Sequence, residues 1–251
     1  MKIPHNTLRR YLSFTALGAM LGVVALLFVQ GCGGPALKPW HTEPLDKEFT
    51  ADKVDAISNF EDYRRLEDAV FEQLQADVYA HTATGSEHVL ERYSSGSAAD
   101  PRQRQPNWNR SFELSADSPA GGVLLLHGMS DSPYSLRALG EALNRRGYQV
   151  LGLRLPGHGT APSGLTRVHW RDMAAAVRLG MEHLGASVGE KPIHIIGYST
   201  GAPLALNFAL DAEQGSAAPM PASLVLISPA IGISPAAGLA TWKRRLSIMP
   251  G

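Results

Sequence analysis

The chain has 251 residues, with 23 basic side chains against 23 acidic ones, and 44% of its residues are hydrophobic. A neutral balance leaves no electrostatic footprint for nucleic acid, and so apolar a composition with only 18% charged residues excludes an intrinsically disordered chain. The single cysteine, Cys32, excludes an intramolecular disulfide framework and a cysteine-based zinc cluster, leaving an enzyme or a binding domain with its own core.

Residues 1–31 have the composition of an export address. Lys2, Arg9 and Arg10 stand without any acid, Leu12 to Val29 carries no charge over 18 residues, and the small residues Gly31 and Cys32 follow. The segment Val29-Gln30-Gly31-Cys32 resembles a bacterial lipoprotein signal, which implies cleavage before Cys32 and lipidation of its sulfur. The alternative is an uncleaved anchor, since about 20 apolar residues span a bilayer. Both place the domain outside the cytoplasm on a membrane tether.

Residues 32–57 are expected to be a linker, because Gly33 to Pro44 holds two glycines and three prolines. Residues 58–80 are expected to form a helical arm. Leu66, Val70, Leu74 and Val78 recur every four residues with Phe71 beside them, an apolar stripe that needs a surface to cover it. The surrounding run, Glu43 to Asp77, carries eleven acids and four bases and reads as a solvated face. Residues 81–111 are a loop-rich connection, with Ser94 to Asn109 rich in Ser, Gly, Pro and Arg and free of periodicity.

From residue 112 to 251 the pattern is that of an α/β core. Short apolar runs at Val123 to Leu126, Gln149 to Leu153, Ile193 to Ile196 and Ser223 to Ile227 predict strands. Ser135 to Arg146, His169 to Leu184 and Ala202 to Leu210 predict the helices between them. Such alternation predicts a parallel sheet covered on both faces, with chemistry in the loops beyond the strand C-termini.

Two of those loops carry motifs. Gly197-Tyr198-Ser199-Thr200-Gly201 sits between a strand and a helix, where a sharp turn lifts a serine hydroxyl above the sheet and small residues let strand and helix approach. His127-Gly128-Met129 follows the first apolar strand, and Gly128 lets the backbone turn so that the Met129 N–H aims at an oxyanion together with that of Thr200. His127 is expected to brace this turn rather than act as a base.

With Leu155 to Pro162 (LPGHGTAP), these segments resemble the α/β-hydrolase superfamily, and within it the bacterial carboxylesterases, monoglyceride lipases and lysophospholipases grouped with serine aminopeptidase-like hydrolases. The resemblance implies that Ser199 is the nucleophile, that the Met129 and Thr200 N–H groups form the oxyanion hole, and that His127, Gly128, Gly197 and Gly201 support them. It also implies that Pro156-Gly157-His158-Gly159 is a structural loop.

In that family the triad runs Ser, then Asp or Glu, then His. None of the nine histidines follows Ser199, and the acids that do, Asp211 and Glu213, fall near the end of the next helix. The triad acid and histidine are thus absent, Thr241 to Met249 resembles the opening of a cap, and the chain reads as a hydrolase core incomplete at the C-terminus. The approach of an upstream histidine such as His158 to Ser199 is a rescue in principle, since triads are recognised by geometry rather than order.

Two functions follow. The first is a membrane-tethered serine hydrolase that cleaves small ester or lipid substrates of the esterase, monoacylglycerol lipase or lysophospholipase type through an acyl-serine, weak or inactive in this form. The alternative is a non-catalytic exported lipoprotein that uses the incomplete fold as a binding surface. A peptidase or acyltransferase would use the same site. With no metal cluster, phosphate loop or dinucleotide fingerprint in the sequence, no cofactor, metal or nucleic-acid partner is expected.

Overall fold

The computed structural model describes residues 5–31, 36–57, 59–215, 217 and 219–232. They belong to two compact units, one holding helix α1 (His5–Gly31) and the other beginning at Lys38. Within α1, Arg9–Phe28 is long and apolar enough to cross a membrane, with a mean hydropathy of 2.0. Cys32, Gly33 and Gly34, and Thr241 to Met249 with the cap expected there, lie outside the described residues.

The second unit opens with a single helical turn, α2 (Pro39–Thr42), then helix α3 (Phe60–Asp77). The sheet order is β1-β3-β2-β4-β5, formed by β1 (Phe112–Leu114), β2 (Gly121–Leu126), β3 (Tyr148–Leu153), β4 (Ile193–Tyr198) and β5 (Ser223–Ile227). Strands β2 to β5 are parallel, as βαβ crossovers require, while β1 pairs antiparallel with β3. That three-residue strand is absent from the sequence expectation. It is short, carries Glu113 at its centre and is too brief to show alternation.

Successive residues of a strand point to opposite faces, and β2 shows how the two layers arise. Val123 and Leu125 pack with Leu136 of helix α4 (Tyr134–Asn144). Leu124 and Leu126 pack with Met173, Val177 and Met181 of helix α5 (Trp170–Val188) and with Leu204 and Phe208 of helix α6 (Gly201–Glu213). Gly152 is dictated by the neighbouring strand, because a Cβ there would lie 2.2 Å from the Phe112 ring.

The N-terminal segments depart from the expectation in two ways. The linker expected over 32–57 is packed structure in its second half, with Leu45 and Phe49 fully buried. Nor is the acidic run only a solvated face, since Glu48 and Glu67 are buried on Arg154, which is itself 0% exposed. Arg154 donates to both Glu48 oxygens at 2.8 and 3.0 Å, and its Nε faces Glu67 Oε2 at 3.3 Å, an ion-pair distance without hydrogen-bond alignment.

Tyr63 donates to the Arg154 carbonyl at 2.6 Å, while Ser111 donates twice to Glu67. Burial alone would raise the Glu48 carboxyl, but the guanidinium and its hydrogen bonds outweigh that and hold it below the ordinary carboxylate range. Helix α3 therefore turns Phe60, Tyr63 and Glu67 inward together with Val70, Phe71 and Leu74 of the stripe read in the sequence, Val78 just beyond it is buried too, and Leu66 lies at the margin. The stripe is covered by this domain, so it is no surface for a partner.

Candidate active site

Ser199 is the first residue beyond β4, and it holds a left-handed backbone with φ 50°. A side chain there costs about 1 to 3 kcal/mol, so the surrounding contacts must impose the conformation. Its N–H donates to the Ile227 carbonyl at 3.0 Å, and its carbonyl accepts from Ala202 and Ala230, each at 3.2 Å. These bonds pin the turn to the end of β5 on one side and to the start of α6 on the other.

The two motif glycines are steric requirements. A Cβ at Gly197 would stand 2.5 Å from the Gly201 carbonyl oxygen, and one at Gly201 would stand 2.2 Å from that of Leu126. Backbone occupies the space in which a side chain would sit, so strand, turn and helix close upon each other only with glycine at both ends.

Gly128 brings the second turn against the first, since a Cβ there would lie 3.2 Å from the Ser199 Cβ and 3.1 Å from the Tyr198 ring. Among the described residues, neither the Met129 N–H nor the Thr200 N–H is taken by a protein acceptor. Two uncommitted amides beside a serine, one of them at the head of α6, form an arrangement that receives developing negative charge.

His127 is fully buried, and both its nitrogens are engaged. Nδ1 donates to the Gly128 carbonyl at 2.9 Å and Nε2 accepts from the Leu155 N–H at 3.0 Å, so the ring ties the Met129 turn to the end of β3. Burial, helped by the nearby His158 and Arg154, pushes its pKa down to about 3 and keeps it neutral. His158 is buried too; Nδ1 donates to the Pro156 carbonyl at 2.9 Å, and Arg154 donates to the His158 carbonyl at 3.0 Å.

The other core histidines are engaged elsewhere. His169 caps α5, His183 meets Glu113 at 3.0 Å, and His194 meets Ser223 at 2.8 Å. Among the described residues no side chain is hydrogen-bonded to the Ser199 hydroxyl, and His158 does not reach it. Asp211 pairs with Arg178 and Asn207 at the far end of α6.

Residues 117–250 match the family described as serine aminopeptidase, S33, which is just over half of the chain. The chain belongs to this family. The chain is 37% identical over 94 residues to the thermostable monoacylglycerol lipase of Bacillus sp. (strain H-257), covering 38% of this chain and 37% of the lipase. A segment of 97 residues is 37% identical to the magnesium-chelatase 30 kDa subunit of Rhodobacter capsulatus, over 38% of this chain and 32% of that one.

The carboxylesterase of Bacillus subtilis (strain 168) is 34% identical over 98 residues, covering 39% of each chain. The chain thus spans well under half the length of the curated relatives it matches.

Proposed function

We propose that this chain is a serine hydrolase of carboxylic esters, of the esterase, monoacylglycerol lipase or lysophospholipase type. The observation that carries the reading is Ser199 held at φ 50° between β4 and α6, with the Gly128 turn against it. In this reaction the Ser199 oxygen attacks the ester carbonyl carbon, and the Met129 and Thr200 N–H groups hold the oxyanion. The alcohol departs with a proton as the acyl-serine forms, and water then releases the acid. His127 is not the base in this scheme, because both of its nitrogens are committed to the backbone.

Fluorophosphonate labelling tests the reading. The expected outcome is labelling of the folded chain that disappears in Ser199→Ala. A folded chain that takes no label is instead a non-catalytic binding domain, the reading favoured by the absence of any described partner on the Ser199 hydroxyl.

A membrane tether is part of the proposal. At about 1.5 Å per residue, the 20 residues Arg9–Phe28 match a hydrocarbon core about 30 Å thick, and Arg9 and Arg10 supply the basic flank. Export with lipidation at Cys32 predicts incorporation of labelled palmitate that Cys32→Ala abolishes. An uncleaved anchor predicts membrane-bound protein that is unaffected by that substitution.

A further inference from the structure

Strands β4 and β5 keep one register along their length, from His194 opposite Ser223 to Tyr198 opposite Ile227. One step further, that register sets Ser199 opposite Ser228. In a parallel ladder the N–H and C=O of one residue reach two residues of the neighbouring strand that stand two apart, one on each side of its opposite number. Ser199 would then donate to Ile227 and accept from residue 229.

The first of those bonds is present, with the Ser199 N–H donating to the Ile227 carbonyl at 3.0 Å. The second is impossible, because residue 229 is proline and has no N–H to give. Ala230 makes the bond instead, its N–H donating to the Ser199 carbonyl at 3.2 Å. Ile227 and Ala230 stand three apart rather than two, so β5 ends with one residue in excess at the level of the nucleophile. That is a β-bulge, a device that re-aims side chains beside active sites.

The excess is absorbed at Ser228, which holds a left-handed backbone with φ 45°. A side chain disfavours positive φ, and a following proline favours extended backbone, so the conformation runs against both local preferences. Among the described residues, the non-glycine positions with positive φ are Ser130, Ser199 and Ser228, each beyond the C-terminal end of a parallel strand. Strain of this kind persists where it has a use. Here the two residues flanking Ser228-Pro229 grip the amide and the carbonyl of Ser199. Ser228 itself is exposed, and among the described residues its hydroxyl meets no partner, so its effect on Ser199 runs through the backbone.

We propose that Ser228 and Pro229 are positioning residues for the nucleophile, and that the bulge they form at the end of β5 fixes the direction in which the Ser199 hydroxyl is presented. The inference rests on the hydrolase reading above. The missing N–H of Pro229 diverts the ladder by one residue, the left-handed backbone of Ser228 makes the diversion fit, and Ala230 closes it on Ser199.

Saturation kinetics of fluorophosphonate labelling test this on the full chain in detergent micelles, well below each variant's thermal midpoint so that the protein is folded throughout. Ser228→Val puts a β-branched side chain where left-handed backbone is least tolerated, and Ala230→Pro removes the donor that closes the bulge. Both are expected to lower the limiting labelling rate about tenfold, as a misaimed nucleophile does, with the half-saturating probe concentration unchanged. Ser228→Gly, which takes the left-handed backbone freely and lacks the hydroxyl, is expected to restore the rate. Full rate in either of the first two variants overturns the proposal, as does a Ser228→Gly chain as slow as Ser228→Val.

Absence of labelling in the unsubstituted chain is a different failure, and it sinks the hydrolase reading. Amide hydrogen exchange at Ser199, followed by NMR, then decides the bulge alone. Exchange about tenfold faster in Ser228→Val than in the unsubstituted chain upholds it, and equal exchange overturns it.

Discussion

Two residues that follow the parallel strands on either side of β2 meet opposite fates. Arg154, directly after β3, is wholly enclosed and reaches Glu48, Glu67 and the His158 carbonyl. Ser199, directly after β4, stands half-exposed in a left-handed turn, and its hydroxyl has no described partner. The same edge of the sheet thus holds a charge made inert by surrounding it and a hydroxyl left available by straining its backbone. The loop after Arg154 also reaches the Gly128 turn that packs against Ser199, since the His127 and His158 rings lie 5.1 Å apart.

The largest effect is expected at the enclosed end. Arg154→Met leaves two buried carboxylates without their counter-charge and should cost about 3 to 5 kcal/mol in urea denaturation. Adding Glu48→Gln and Glu67→Gln should recover part of that loss. A single substitution costing less than about 1 kcal/mol would show that the enclosure is not what holds the N-terminal segments down.

Acid should separate the two ends next. The folded pKa of His127, about 3, lies below its ordinary value of 6.5, so the unfolded chain takes up the proton first as pH falls. Its contribution to stability is complete above about pH 6.5 and declines toward pH 3, with a slope of about 1.4 kcal/mol per pH unit for each proton. Glu48, also depressed, adds a loss in the more acidic part of that range. Denaturation midpoints measured from pH 7 to pH 4 should fall, and a flat profile would mean that these groups are not shielded from water.

The smallest change in stability is expected at the strained end, with a reversed sign. Ser199→Gly should stabilise the fold by about 1 kcal/mol by relieving the left-handed backbone, while removing the fluorophosphonate-reactive hydroxyl. Thermal unfolding alongside labelling reads both effects. A loss of stability would show that the turn is held by the serine side chain rather than by the backbone bonds to Ile227 and Ala230.

What the sequence made legible divides along the same line. The Ser199 and Gly128 turns are local, with their steric reasons lying within a few residues or in the neighbouring strand, so the motif spells them out. Strands β2 to β5 and helices α4 to α6 follow from apolar runs and their spacing. The Arg154 enclosure was not legible as an element, because its partner Glu48 lies 106 residues away and looks like any other acid in a charged run.

The one available signal was an arginine placed between Leu153 and Leu155 in an otherwise apolar stretch, which demands counter-charges from somewhere. Strand β1 escaped notice because pairing with β3, rather than its own composition, makes it a strand.

The distance between Glu48 and Arg154 also sets an order of events during synthesis. Translation delivers the N-terminal segments first, at about 5 to 20 residues per second, so the carboxylates of Glu48 and Glu67 wait in water until the end of β3 has emerged. During that interval Phe49, Phe60 and Tyr63 have no sheet to cover. The nascent chain is therefore expected to pass through a stage in which its earliest residues are among the last to find their places, and it is at this stage that a chaperone would find most to hold.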